Sequence, residues 1–450
     1  MTKHPFIIFC CLVFWITLQA QIERDPDGGG SFSSYPLQDE ITPQQNNAII
    51  YELKKSVLNL TQKGILPLTY QPMITGFQWP IKQASGFNDN GYYGITNYVD
   101  EDNSAGILEY NCGNRTYNGH QGTDIATWPF PWQKMLLNAI QIIAAAPGTI
   151  IYKSDGNSDT SCAFCPSYCN WNAVYVMQTD GSVAWYGHMK TNSQTSKTVG
   201  QTVALGEFLG IVGSSGNSTA PHLHFQVYTD NTYTQLVDPW GGPCNGLNGT
   251  TSWWANQQPY YTPTLSKVMT HNPAPAMTGC KSGEAVNEKV NFVNGQTIYV
   301  GSYYRDQQIG QQSVHTVYRP DNTILLTWSQ SFTSYYSLSW WYYIINLPNP
   351  APTGMWRYQV VYNGTTTQST YFGVNEIGYT FTGNGDWNIS TNWSNNTIPP
   401  VLLPPGSEIL INPVAGGECD MNGLQTISSG AKITVLSGKK LVDPGYLIIQ

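Results

Sequence analysis

Charge is what this 450-residue chain has least of. Only 11% of its residues are Asp, Glu, Lys or Arg, against about 25% in an ordinary soluble domain. Acidic residues outnumber basic ones 28 to 20, for a net charge of −8. That balance argues against nucleic acid and against an anionic membrane surface as partners. Long apolar runs are also lacking. Phe6 to Leu18 is apolar, but it falls short of the roughly 20 residues that cross a bilayer, so no membrane span is expected. Histidine is sparse, with seven in all, and that scarcity makes the position of each one informative.

Aromatic residues and glycine are plentiful: 29 Tyr, 15 Trp and 43 Gly. With so few charges, the polar surface must be Asn, Thr, Ser, Gln and Tyr. That composition suits an exported, β-rich protein of two to four domains. Residues 1–20 read as a signal peptide, with Lys3 before the apolar run and Ala20 at a plausible cleavage position. The expected location is therefore secreted, periplasmic or at the cell surface. Seven cysteines follow: Cys112, Cys162, Cys165, Cys169, Cys244, Cys280 and Cys419. An oxidising compartment pairs them and leaves one over. Cys162, Cys165 and Cys169 cluster within residues 161–170. Disulfides are the favoured reading there, and a second, structural metal site is the alternative.

The chain is organised around Pro221-His222-Leu223-His224-Phe225-Gln226-Val227. Its strict alternation predicts a strand, with Leu223, Phe225 and Val227 on one side and His222, His224 and Gln226 on the other. Two imidazoles thus share a face behind a loop of small residues, Gly213 to Thr219. His120 opens His120-Gln121-Gly122-Thr123-Asp124, two potential ligands four apart with a glycine that lets the backbone bend. His188 ends Trp185-Tyr186-Gly187-His188, in a strand predicted to follow Ala173 to Gln178 through an Asp180-Gly181 hairpin turn. His271 and His315 stand apart.

These motifs, in this order, resemble the lysostaphin-type zinc endopeptidases, which cut peptidoglycan cross-bridges and glycine-rich peptides. The resemblance runs from about Trp79 to Pro239 and includes Ala144 to Ile150 and Gly210 to Gly213. It implies one zinc per chain on His120, Asp124 and His224, with His188 and His222 catalytic and unligated. Such a site suits the chemistry. Catalytic zinc takes three protein ligands and leaves a position for water. A neighbouring imidazole can move the proton, here assigned to His222, and a second can support the oxyanion, here assigned to His188. One stretch departs from the family pattern. Residues 126–139 intervene, with Pro129 and Pro131 among aromatics, and read as a surface loop that walls the substrate cleft or packs on the barrel.

Beyond the site, residues 21–72 are expected to form an N-terminal helical arm. Thr42 is its N-cap, Pro43 its first residue and Gln45 a capping-box partner. Ile49, Ile50, Leu53, Val57 and Leu60 form its apolar stripe, and Gly64 its stop. A structural role is favoured over a pro-segment. Residues 73–271 are the expected peptidase domain. The run Asn272 to Ala276 reads as a linker, and residues 278–375 as an Ig-like β-sandwich. There Trp340 to Tyr343 is either a carbohydrate platform or, more in keeping with its pattern, core. Residues 378–450 show apolar triplets at regular spacing with glycines between, which suggests stacked β-rungs with a binding or sorting role.

The expected fold class is mainly β: an antiparallel zinc-peptidase domain with a short helix, then a sandwich and a stacked-β module. The expected activity is hydrolysis of peptidoglycan stem peptides or cross-bridges. The alternatives are a peptidase of glycine-rich proteins and a non-catalytic wall-binding protein on the same scaffold.

Overall fold

The computed structural model describes residues 22–32, 41–68, 76–165, 169–375, 379–403 and 405–450. The signal-peptide expectation for residues 1–20 lies outside these. Strands dominate, and among the described residues no helix is long and apolar enough to cross a membrane.

The first unit is built on an antiparallel sheet. Its strands run in the order Tyr93–Asn97, Thr123–Thr127, His222–Tyr228, Val183–Tyr186, Ala173–Gln178, Gly148–Ser154 and Thr202–Val203, with Leu236–Val237 beside His222–Tyr228. Alternation sorts its side chains as expected. Leu223, Phe225 and Val227 join Ile150, Val174, Val176, Ala184 and Tyr186 in the main core. Ile81–Gln83, Ile140–Ile143 and Phe208–Ile211 form a smaller sheet whose Ile81, Ile140, Ile142 and Leu209 close that core. Trp240, Trp253 and Trp254 are also core. The aromatic segments around 93–110 and 240–261 therefore fill the interior more than they shape a groove.

Helix α1 (Pro43–Gln62) begins where its cap predicts, with the Gln45 amide donating to Thr42 Oγ1 at 3.2 Å. The reciprocal half of the capping box is absent, because Gln45 Oε1 is buried without a hydrogen-bond partner. Ile49, Leu53, Val57 and Leu60 pack on Ile151, Tyr175 and Trp185, on the sheet's other face. That is also the face of His222 and His224, so α1 lies beside the histidines as part of the same layer.

The sandwich pairs two sheets. One runs Gly28–Ser31, Tyr336–Asn346, Thr297–Gln307, Thr264–His271; the other runs Asn291–Phe292, Thr366–Val374, Gly354–Tyr362, Gln312–Tyr318, Ile324–Ser331. Tyr343, Trp328 and Trp356 fill its core, so Tyr343 of the aromatic run is an interior residue.

Two expectations need correction here. Thr264–His271 pairs with Thr297–Gln307, so the chain has already entered the sandwich before the proline-rich run, which turns within that unit and links nothing flexible. Residues 126–139 are not a surface loop. The main-sheet strand runs through Thr127, then Pro131 starts a short helix, α2 (Pro131–Leu136). Trp128, Phe130 and Trp132 are at most 3% exposed. The prolines mark a helix start, and the aromatics are buried because Tyr303, Met269 and Leu338 of the sandwich close over them.

Further bonds fasten the two units. Arg115 meets Asp306 at 3.1 Å, Lys134 and Lys267 both pair with Asp89, and Trp132 Nε1 donates to the Gly279 carbonyl. The cysteines settle as disulfides: Cys112–Cys244, Cys162–Cys280 and Cys165–Cys169, with Cys419 free. The Cys162 cluster is thus no metal site, and one of its bonds crosses to the sandwich. The last unit winds three parallel sheets, each contributing strands at successive levels, around Phe381, Trp387, Trp393, Ile409 and Ile411.

Candidate metal and catalytic site

Three neighbouring strands align the first components. In register, Asn97 faces Asp124 and Asp124 faces His224. Directly opposed residues of an antiparallel pair bring side chains within about 5 Å. Here Asn97 Nδ2 donates to Asp124 Oδ2 at 3.0 Å, and Asp124 Oδ1 lies 3.0 Å from His224 Nδ1. His120 arrives from a turn before the same strand. Its Nε2 lies 3.2 Å from Asp124 Oδ1 and 3.3 Å from His224 Nδ1. Potential ligand atoms of His120, Asp124 and His224 all fall within 4.8 Å of one another.

The outward nitrogens fix the tautomers. His120 Nδ1 sits 2.6 Å from the Tyr98 carbonyl, an acceptor only, so it carries the proton and turns the Nε2 lone pair inward. His224 Nε2 lies 3.0 Å from Gln226 Oε1, which leaves Nδ1 for the cluster. Gln226 Oε1 takes that contact while its amide donates to Tyr228 Oη and Gln121 Oε1. Burial opposes ionisation of Asp124, but the His120 ring, with those of His224 and His222, outweighs it when these rings are protonated and holds its pKa well below the ordinary carboxylate value.

Gly122 serves a purpose beyond bending the chain. A Cβ there would lie 2.6 Å from His224 Nε2 and 2.9 Å from the Phe225 carbonyl. Only glycine leaves the ring its place.

The second pair of histidines lies beside the first cluster. His188 and His222 have ring centroids 4.5 Å apart, and His222 Nε2 is 3.7 Å from Asp124 Oδ1. His222 Nδ1 donates to the Ala220 carbonyl at 2.8 Å, and His188 Nδ1 to the Ser215 carbonyl at 2.7 Å. His188 itself has φ 58°, a left-handed conformation uncommon for a non-glycine residue. All five residues are at most 1% exposed. Trp171 lies edge-on to His188 at 5.0 Å and tilted to His224 at 5.7 Å.

The structure therefore brings His120, Asp124, His188, His222 and His224 into one cluster. His271 and His315 lie in the sandwich, bonded to Tyr303 and Tyr358. Sequence reasoning missed Asn97 and Trp171. Asn97 ends a short strand, Tyr93–Asn97, whose alternation is faint. Trp171 closes the cysteine insertion and gives no local signal of its target.

Comparison with known proteins adds the following. Residues 118–239 match the model of Peptidase family M23. Glycyl-glycine endopeptidase ALE-1 of Staphylococcus capitis is 39% identical over 66 residues, 14% of this chain and 17% of that protein. Lysostaphin of Staphylococcus simulans is 41% identical over 61 residues, 13% of this chain and 12% of that protein. The matched part is thus a small fraction of each relative. Among solved structures, the catalytic domain of lysostaphin from Staphylococcus simulans aligns at 24% identity and TM-score 0.20, over 35% of this chain and 89% of that one. A catalytic-domain mutant of the prophage-encoded M23 protein EnpA from Enterococcus faecalis aligns at 23% and 0.22, over 35% and 94%. The motif order and the converged cluster agree with the match of residues 118–239 to peptidase family M23.

Proposed function

We propose that this chain is an exported zinc endopeptidase that hydrolyses peptide bonds in peptidoglycan stem peptides or cross-bridges. The observation that carries the reading is the donor set. His120 Nε2, Asp124 Oδ1 and His224 Nδ1 turn their lone pairs to one point, and the opposite atom of each is already engaged by Tyr98, Asn97 and Gln226. Two neutral imidazoles and one carboxylate with such outer partners suit a catalytic zinc. The complete set speaks against a non-catalytic binding protein. Bound by these three residues, zinc supplies a Lewis acid that acidifies a water and polarises the scissile carbonyl.

The remaining work falls to the chain's own imidazoles. With its Nδ1 proton on Ala220, His222 accepts a proton from the attacking water at Nε2 and later gives it to the leaving amine. With Nδ1 on Ser215, His188 donates to the oxyanion from Nε2 when its ring is protonated. Deep burial strengthens both interactions by excluding solvent. It also means the site must open to admit a peptide. The name of the relative ALE-1 points to glycyl-glycine bonds as the first substrates to try.

The test is to digest purified peptidoglycan with the zinc-loaded mature protein and identify the new amino termini. One zinc per chain and new termini within stem peptides or cross-bridges are expected. Intact walls beside a cleaved glycine-rich protein would move the substrate to that second class. No cleavage of either would overturn the enzyme reading.

A further inference from the structure

Two carboxyl groups outside the histidine cluster, those of Glu101 and Asp238, meet within hydrogen-bonding reach. One oxygen of each is engaged. Glu101 Oε2 accepts from Gly246 N at 2.8 Å and Leu247 N at 3.2 Å, and Asp238 Oδ1 accepts from Trp240 N at 3.0 Å. The other two, Glu101 Oε1 and Asp238 Oδ2, are buried without a protein donor. Two ionised carboxylates cannot hold such a contact out of water. The other charged groups that face the pair, Asp100 and Glu109, are acidic too. Among the described residues no Lys or Arg forms an ion pair with any of the four. Burial, then the Glu101 and Glu109 charges, hold the Asp238 carboxyl well above the usual carboxylate range, against the Trp240 amide.

Each partner also fastens a segment that carries a proposed zinc ligand. On the Glu101 side, Asp100 N donates to the His120 carbonyl at 2.8 Å, and Gly119 N donates to Asp100 Oδ2 at 2.8 Å. The Tyr98 carbonyl of the same segment takes His120 Nδ1. On the Asp238 side, Trp240 Nε1 donates at 3.0 Å to the Oγ1 of Thr123, the residue before Asp124. The Cys112–Cys244 disulfide ties the same two loops together, so the pair cannot simply drift apart.

We propose that Glu101 and Asp238 share one proton, and that this acid–carboxylate bond positions His120 and Asp124. Asp238 carries the proton on Oδ2 and donates it to Glu101 Oε1. Both are positioning residues and touch neither metal nor substrate. Loss of the proton sets two negative charges against each other where the disulfide holds the loops closed, and the displacement falls on the turn that ends in His120. The effect on zinc, though not the shared proton, rests on the proposed peptidase reading.

Glu101→Gln and Asp238→Asn each replace the O–H···O bond with N–H···O and need no proton. In the full-length, zinc-free protein at neutral pH, the infrared band of a protonated carboxyl should lose one group in each of these variants. Hydrogen exchange at the Asp100 and Gly119 amides should match the wild type in both and quicken about tenfold or more in Glu101→Ala. Zinc affinity, read by chelator competition, should follow the same order, with Glu101→Ala weaker by about tenfold. Should Glu101→Ala fail to fold, Glu101→Asp shortens the reach by one methylene and takes its place. The shared proton is refuted if the amide variants keep the full acid band. It is refuted equally if calcium raises the melting temperature of the wild type but not theirs, which would put a cation between the oxygens. The positioning role is refuted if Glu101→Ala exchanges as slowly as the wild type, or if the amide variants exchange as fast as Glu101→Ala. A wild type that binds no zinc sinks the peptidase reading, and the infrared and exchange results still decide this one.

Discussion

Gly122→Ala adds one methyl group at the point of closest approach to a proposed ligand. Its Cβ would start 2.6 Å from His224 Nε2, where ordinary contact begins at 3.4 Å, so roughly 0.8 Å of relief is required. The ring cannot yield freely, since Asp124 Oδ1 and Gln226 Oε1 each hold one nitrogen at 3.0 Å. The backbone cannot yield either, because the Phe225 carbonyl stands 2.9 Å from the same Cβ. Overpacking of this kind costs about 1–3 kcal/mol of stability. A ligand displaced by that distance exceeds the roughly 0.5 Å tolerance of a working site. Zinc affinity should fall about 10- to 100-fold and kcat/KM about 100-fold. Competition with a chromophoric chelator, thermal melting and cleavage of a fluorogenic glycine peptide measure the three effects. A variant that keeps zinc and stays within twofold of wild-type turnover would show that the His224 ring does not need this space, and the ligand assignment would fall with it.

His224→Ala should lose zinc and activity together, whereas His222→Ala should keep zinc and lose about 10²- to 10⁴-fold in turnover; the reverse pattern in metal analysis would exchange their roles. Asn97→Ala removes the donor to Asp124 Oδ2 and should weaken zinc by about 10- to 100-fold at unchanged fold, read by the same chelator assay. Glu284 and Glu288 are both half-buried, and the loss of hydration raises each pKa to about 7 despite the Trp132 and Gln133 amides on Glu284 and the Lys267 charge near Glu288. The folded state then holds protons that the unfolded chain releases above about 4.5, so stability should fall as pH rises from about 4.5 to 7 and level off beyond. Denaturation at several pH values should show that slope, and Glu284→Gln with Glu288→Gln should flatten it. A chain cut after His271 keeps every site histidine but loses Cys280 and the Tyr303 and Leu338 side chains that cover Trp128, so it should give no cooperative melt; a sharp transition would show that the sandwich is dispensable.

The site was legible because alternation and turn chemistry are local. His222 and His224 flank Leu223, the apolar partner of which faces the core, and Asp180-Gly181 turns the hairpin before His188 with Gly181 at φ +87°. The α1 start was legible for the same reason, through Thr42 and Pro43. What was not legible depends on distant chain. Trp128 and Phe130 read as exposed loop until Tyr303 and Leu338 cover them. Gly28–Ser31 has no strand propensity, and its partners Ser339 to Tyr342 stand about three hundred positions away in the chain. Asn97 carries no motif of its own, and its meaning comes from standing opposite Asp124. The prolines after His271 signal a break, yet hydrogen bonding had already assigned the preceding strand to the next unit.

The Cys162–Cys280 bond changes how the molecule bears load. A force applied to residues beyond 280 does not run back through the backbone alone. It passes directly into the segment around Cys162, which bridges Ser214 through Thr160 and Ser218 through Ala163. Ser214 and Ser218 lie in the loop whose Ser215 carbonyl holds His188. A pull on the C-terminal half therefore reaches Cys162 through a covalent link and passes, through those two hydrogen-bonded bridges, to the wall of the histidine cluster. The later modules are thus fixed to the face that carries the histidine cluster and do not hang from it by backbone alone.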